Sequence, residues 1–191
     1  MVFTSNFSLE PDAELQLFRQ IKGRCFSDKE YQDRWQIVTS YLQHKKLDSL
    51  VIYGSERAGT AIPWLTGWPV TAEAALIISL DADAKLYVQY HNHTPQAATT
   101  AYGVDVLWAG PKTVQSILDR LAQIKSHRVG IIGKMNLDMI NFIQNAGYSL
   151  FSLDKWYETA RLIKSPTEIK CLKLGAYFSD LAVKSIYEKV T

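Results

Sequence analysis

Residues 74–80 read Ala-Ala-Leu-Ile-Ile-Ser-Leu, a nearly unbroken apolar run with no polar face. A strand that is half in water alternates apolar and polar residues; a strand without alternation must be covered on both sides. Ser49-Leu50-Val51-Ile52-Tyr53, closed by Gly54, and Arg128-Val129-Gly130-Ile131-Ile132 have the same short, β-branched character. A chain with several such strands needs helices on both faces of its sheet, which places it in the α/β class.

The segments between these strands carry helical patterns. Ser27-Asp28-Lys29-Glu30 is a capping-box signal, with Ser27 at the cap and Glu30 reaching back. Tyr31, Trp35, Val38 and Leu42 then form a stripe of helical spacing that runs to about Lys46. Val114, Ile117, Leu118, Leu121 and Ile124 repeat the pattern behind Pro111, which fits the first helical turn. Leu137–Asn145, closed by Gly147, is a third helix, and Pro11–Ile21 a short one near the start. Asp81-Ala82-Asp83-Ala84 is a turn, so Ala74–Leu80 and Lys85–Tyr90 form a hairpin and the sheet is mixed. Val104–Trp108 and Tyr148–Leu153 complete an expected five- or six-stranded sheet, flanked by helices in three layers.

The last segment is different. Ser165-Pro166-Thr167-Glu168 is a strong helix start, and no stop signal follows. Ile169, Leu172, Ala176, Val183, Ile186 and Val190 make one apolar stripe; Leu174, Tyr177, Phe178 and Leu181 make another. A helix apolar on two sides packs between two bodies. It either lies in a groove of its own domain or leads into a further domain.

Several functions are excluded. With 21 Lys+Arg against 19 Asp+Glu, a net charge of +2 offers no footprint for nucleic acid or an anionic membrane. No apolar run approaches the roughly 18 residues of a membrane span, and Met1–Glu10 lacks the form of a secretory signal. Cys25 and Cys171 stand alone, without metal-site or disulfide spacing, which favours a reduced, cytoplasmic setting. Dinucleotide, P-loop, nucleophile-elbow and HExxH motifs are absent. The first strand has no carboxylate to hold the metals of a nuclease.

Two constellations remain. His91-Asn92-His93 on an extended segment would direct both imidazoles to one side, as a shared metal requires. Asp81 or Asp83 would have to supply a further ligand. The other readings are a hydrogen-bonded rim at a strand end, or contact with a small substrate. The second constellation is Glu56–Pro69, too rich in Gly and Pro for regular structure. Its Trp64 and Trp68 either plug the loop onto the sheet or form an apolar wall for a ligand.

Three motifs in order carry a resemblance. Trp64-Leu65-Thr66-Gly67 resembles the YLTG-like motif of the creatinase, prolidase and aminopeptidase P family, with Trp64 in the place of tyrosine. Gln89-Tyr90-His91-Asn92-His93-Thr94-Pro95 is similar to a segment of some bacterial members. Arg161–Ile169 resembles the R-x-x-K-[ST]-x-x-E-[IL] linker that opens the family's catalytic "pita-bread" domain. The resemblance runs from about Asp33 to Thr191 and implies a non-catalytic amino-terminal domain with a ribonuclease H-like motif. Residues 1–160 would be that domain. Residues 161–191 would be the linker and first helix of a catalytic domain that is missing here and would be the chief partner.

The family's peptidases hold two divalent metal ions (Mn, Co or Zn) through two Asp, one His and two Glu, all beyond this sequence. The chain itself is therefore expected to have no catalytic residue, metal ligand or cofactor. The larger hydrolase would cleave an Xaa-Pro peptide bond, or a C–N bond in another small substrate, through a metal-bridging hydroxide. This domain would contribute to homo-oligomer assembly and to the active-site entrance, with Trp64, Trp68, His91 and His93 as candidates to line that mouth. The rival reading is a free-standing α/β module that binds a small molecule or a protein.

Overall fold

The computed structural model describes residues 26–55 and 59–190. They fall into two compact units, Phe26–Arg161 and a second whose described part begins at Leu162. The expected helix over Pro11–Ile21 lies outside the described residues.

The first unit opens with helix α1 (Asp28–Lys45). Ser27 caps it by accepting from the Glu30 backbone N–H at 3.3 Å. The Glu30 carboxylate does not complete the expected box. It accepts from Arg34 at 3.1 Å, because Arg34 is buried one turn along and needs a counter-charge. Tyr31, Val38 and Leu42 are buried as their spacing requires, each contributing about 2 kcal/mol from burial. Trp35 is only half-buried.

Six strands follow: β1 (Ser49–Gly54), β2 (Ala74–Ser79), β3 (Lys85–Val88), β4 (Asp105–Trp108), β5 (Arg128–Ile132) and β6 (Ser149–Ser152). Their order in one sheet is β4-β3-β2-β1-β5-β6. β2 runs antiparallel to both neighbours, and every other pairing is parallel. The mixed sheet expected from the hairpin is thus present, with β1 and β2 at its centre.

Alternation along the central strands divides the core into two layers. Leu50, Ile52, Leu76, Ile78, Leu86 and Val88 face one side. Covering them are α1, the short helices α2 (Ala61–Thr66) and α3 (Thr94–Thr100), and α6 (Asp154–Ala160). Val51, Ala75, Ile77, Val129 and Ile131 face the other, under α4 (Thr113–Gln123) and α5 (Leu137–Asn145). The result is a three-layer α/β/α unit.

Some local expectations are corrected. Residues 61–66 of the Gly- and Pro-rich segment form helix, because side chains of α1 satisfy its last carbonyls: Arg34 donates to Trp64 O at 2.7 Å and Trp35 Nε1 to Leu65 O at 2.9 Å. Pro111 lies in a turn two residues ahead of α4, not in its first turn. Helices α3 and α6 have no counterpart in the sequence reading. Each is seven residues long with one buried side chain, Ala97 or Tyr157, so neither shows a measurable period.

In the second unit, α7 (Pro166–Val190) begins with the full capping box. Ser165 N donates to Glu168 Oε2, and Glu168 N donates to Ser165 Oγ, both at 3.0 Å. Leu174 is buried, whereas Ile169, Leu172, Val183 and Ile186 are exposed. No helix among the described residues is long and apolar enough to cross a membrane.

Candidate functional site

All strands except β2 end on the same side of the sheet, and Tyr90, His91, His93 and Trp108 stand along that rim. In open α/β sheets the loops at the carboxyl ends of the strands are where ligands bind. The rim is built from three turns: the start of β2, the end of β3 and the end of β4.

Beyond Val88 the chain leaves β3 while still tied to β2. Gln89 N donates to Glu73 O at 3.0 Å, and Glu73 N donates to the Gln89 side-chain oxygen at 3.3 Å. His91–His93 then form a single 3₁₀ turn that runs into α3, with Pro95 in the first turn of the helix. This corrects the extended segment expected for His91-Asn92-His93. In a 3₁₀ turn, residues two apart diverge by about 240°, so the two imidazoles do not share a side and have separate neighbours.

His91 lies edge-on to Trp108 at the end of β4, with ring centroids 5.4 Å apart at 88°. The Trp108 indole N–H donates to Gln89 O at 2.9 Å, which fixes the ring across the ends of both strands. Gly110 permits this placement. A Cβ there would stand 3.2 Å from Trp108 Cζ2, and its φ of +59° is one that L side chains rarely adopt. His93 is held by Thr71 Oγ1 at 2.9 Å from Nδ1, by Tyr90 edge-to-face at 5.2 Å and by Trp68 at 6.4 Å. Its Nε2 has no partner among the described residues. Trp108 is 57% exposed and Tyr90 51%. The margin is therefore an aromatic and imidazole surface able to donate, accept and stack.

The two tryptophans of the Gly- and Pro-rich segment are core residues. Trp64 is 8% exposed and Trp68 3%, so they plug that segment onto the sheet. Trp68 still underlies His93. Trp64 lies elsewhere, edge-on to Tyr157 at 5.8 Å and near the Arg34 guanidinium at 5.4 Å. Thr60 Oγ1 and Tyr157 Oη share a hydrogen bond of 2.9 Å, and Arg161 donates to both. Burial pushes the Tyr157 phenol above its usual 10; the Thr60 bond and the Arg161 charge offset part of that rise.

On the opposite face of the same rim, a cleft of about 630 Å³ opens between the starts of α4 and α5. Glu73, Thr113, Asn136, Met139 and Phe142 are among its lining residues. The Glu73 carboxylate is already engaged, accepting from the Tyr53 phenol at 2.8 Å and the Thr113 hydroxyl at 2.9 Å. It is thereby tied to the first residue of α4, whose cap residue Lys112 makes no side-chain bond. Glu73 was not singled out in the sequence. Its position directly before the apolar run of β2, where a carboxylate needs a partner, was the available signal.

Among the described residues no three His, Cys, Asp or Glu side chains come close enough to hold a metal. Asp81 and Asp83 lie in the β2–β3 turn, at the strand ends opposite the histidines. The donors among the described residues therefore do not fit the two-metal centre of the family's peptidases.

The Creatinase/Prolidase N-terminal domain family matches residues 34–163. No curated protein matches the sequence. Among solved structures, an Xaa-Pro dipeptidase from Bacillus anthracis is similar at 17% identity with a TM-score of 0.69, over 83% of this chain and 43% of that one. An aminopeptidase P from Streptococcus thermophilus is similar at 19% identity and 0.58, over 69% of this chain and 98% of that one. The N-terminal creatinase/prolidase-like domain of a putative metallopeptidase from Corynebacterium diphtheriae is similar at 20% and 0.51, over 64% and 94%. At these identities the likeness is one of fold. The family match spans all of the sheet and the described helices from within α1 through α6, and on it the chain belongs to the creatinase/prolidase N-terminal domain family.

Proposed function

We propose that the chain serves as the non-catalytic amino-terminal domain of a creatinase/prolidase-type hydrolase, an Xaa-Pro dipeptidase or aminopeptidase, working in the cytoplasm. Residues 1–160 are that domain, and 161–191 are the linker and first helix of the catalytic part. The observation that carries this is the family match over residues 34–163, together with a sheet rim that has exposed aromatic and imidazole groups. The Bacillus dipeptidase, of which this chain covers 43%, leaves ample length for a second domain.

On this reading the two divalent metals (Mn, Co or Zn) and the bond-breaking groups belong to the catalytic domain, and no chemical step is assigned to this chain. Its part is to help assemble a homo-oligomer and to border the active-site mouth. His91 and His93 stand at the surface of that border, Trp68 supports His93 from below, and Trp64 anchors the segment that carries Trp68. An imidazole beside aromatic rings suits a small peptide, which offers amide groups and, in Xaa-Pro, an apolar ring.

The coding sequence beyond Thr191 provides the first test: two Asp, one His and two Glu at the family's spacing support the reading, and a stop codon directs attention to a free-standing binding module. In the full hydrolase, His93→Ala should raise KM or lower kcat for an Xaa-Pro dipeptide at unchanged metal content. Unaltered kinetics would remove His93 from the mouth.

A further inference from the structure

Strand β4 is one of the two edges of the sheet. Asp105 N donates to Ala84 O at 3.1 Å and Ala109 N to Val88 O at 2.9 Å, so residues 105, 107 and 109 turn their backbone groups toward β3. Backbone groups alternate sides along a strand. The N–H and C=O of Val106 and Trp108 therefore point away from the sheet, where no strand pairs with them among the described residues. The flanking side chains are apolar and open: Leu107 is 40% exposed, and Trp108 more so.

The opposite edge is more polar. β6 begins and ends with exposed serines, and the Arg128 guanidinium lies 4.5 Å over the Phe151 ring. β4 has no proline or lysine, the residues that most often protect an edge. Its single charge, Asp105, is neutralised from within the sheet by Lys85.

From this geometry we infer that β4 is a self-association strand, pairing antiparallel with β4 of a second copy about a two-fold axis through Leu107. In that register Val106 lies opposite Trp108 of the second copy, and Trp108 opposite Val106. Both members of each pair have outward backbone groups, so each pair exchanges two hydrogen bonds. Leu107 meets its own mate at the close, non-hydrogen-bonded position, with Cα atoms about 4.5 Å apart. Asp105 falls opposite Ala109, so no like charges face each other.

Neighbouring registers are worse. Centring on Val106 sets Asp105 against Leu107. Centring on Trp108 places Val106 opposite Gly110 and brings Pro111, which has no N–H, into the pairing. An arbitrary peptide could use the same edge, but the two-fold match of Val106 with Trp108 and of Leu107 with itself selects a second copy. The pairing would make one continuous sheet and set the two His91–Trp108 margins side by side. It does not depend on the peptidase reading.

Disulfide trapping tests this, in the full chain with Cys25 and Cys171 replaced by serine. A cysteine at the Leu107 position (L107C) should cross-link two chains under mild oxidation, since the expected Cα separation lies within disulfide range. Leu137→Cys, at an exposed position away from the edge, serves as the comparison and should stay monomeric on a non-reducing gel. In sedimentation equilibrium Leu107→Lys, which sets two ammonium groups face to face, should weaken self-association at least about tenfold, with an unchanged circular dichroism spectrum. Three results would overturn the inference: a wild-type chain that is monomeric at its highest soluble concentration, an L107C chain that cross-links no better than L137C, or an oligomer whose mass is unmoved by L107K. Assembly through the exposed stripe of α7 would give the last two.

Discussion

Ile77 and Leu107 occupy the same face of the same sheet, yet one is 1% exposed and the other 40%. The difference follows from position. Ile77 lies on β2, a central strand covered on both sides, where an apolar side chain gains its full transfer energy and any gap costs more still. Leu107 lies on the edge strand, where exposure leaves the side chain energetically cheap to change. In the centre, packing accounts for the apolar residues. At the margin it does not account for Trp108, Tyr90 or His91, which stand open to solvent.

The comparison breaks most visibly where the centre meets the rim. Gly133, just past β5, has φ of +106°, and a Cβ there would lie 2.0 Å from the Tyr53 carbonyl oxygen. That neighbour is backbone in a central strand and cannot move aside. Gly133→Ala should cost on the order of 4 kcal/mol, combining strain and overpacking, read as a lowered urea midpoint. A loss below about 1 kcal/mol would mean that the β1–β5 crossing is more compliant than its packing implies. Leu76→Ala tests the centre directly. It empties a fully buried position on β2 and should cost about 3 kcal/mol in the same titration.

How much of this was legible in the sequence depended on whether local chemistry decided the outcome. β5 and α5 match their expected limits, because a β-branched run, an Asn136 cap accepting from Met139 N at 2.9 Å and a closing glycine all lie within a few residues. The final capping box was readable for the same reason. The helix at 61–66 was not: the donors that complete it, Arg34 and Trp35, lie thirty residues upstream. The histidine turn was misread because the alternating pattern of β3 was extended past Val88, where α3 had already begun to wind the chain. As for the candidate site, the sequence identified His91, His93 and Trp68 as residues worth noting. It could not show that Trp108 completes the margin or that Glu73 closes the other face of the rim, since both depend on strand order.

Tyr157 offers a smaller effect with a pH signature. Its phenol is buried beneath Trp64, and burial raises its folded pKa above the unfolded value near 10. A group raised in the folded state contributes its full stability below the unfolded pKa. As pH climbs from 10 through the higher folded value, the unfolded chain loses its proton first and stability falls. Tyr157→Phe should cost about 1 kcal/mol at neutral pH through the bonds lost to Thr60 and Arg161. It should also flatten the decline in stability above pH 10. An unchanged alkaline slope would show that Tyr157 titrates as it does in the unfolded chain.

The smallest change is expected where the chemistry is richest. His91 is exposed and touches the fold through one edge-to-face contact with Trp108. Removing an exposed ring of this kind leaves no cavity and no buried polar atom, so His91→Ala should alter unfolding free energy by about 0.5 kcal/mol or less. Trp108 fluorescence should shift, because the imidazole packed perpendicular to the indole is removed. A stability loss of about 2 kcal/mol or more would instead make His91 a structural strut and erase the contrast between centre and margin. A neutral substitution that nevertheless impairs turnover in the full hydrolase would place the value of this residue outside the fold, since its removal would leave the packing intact and change only what the surface can bind.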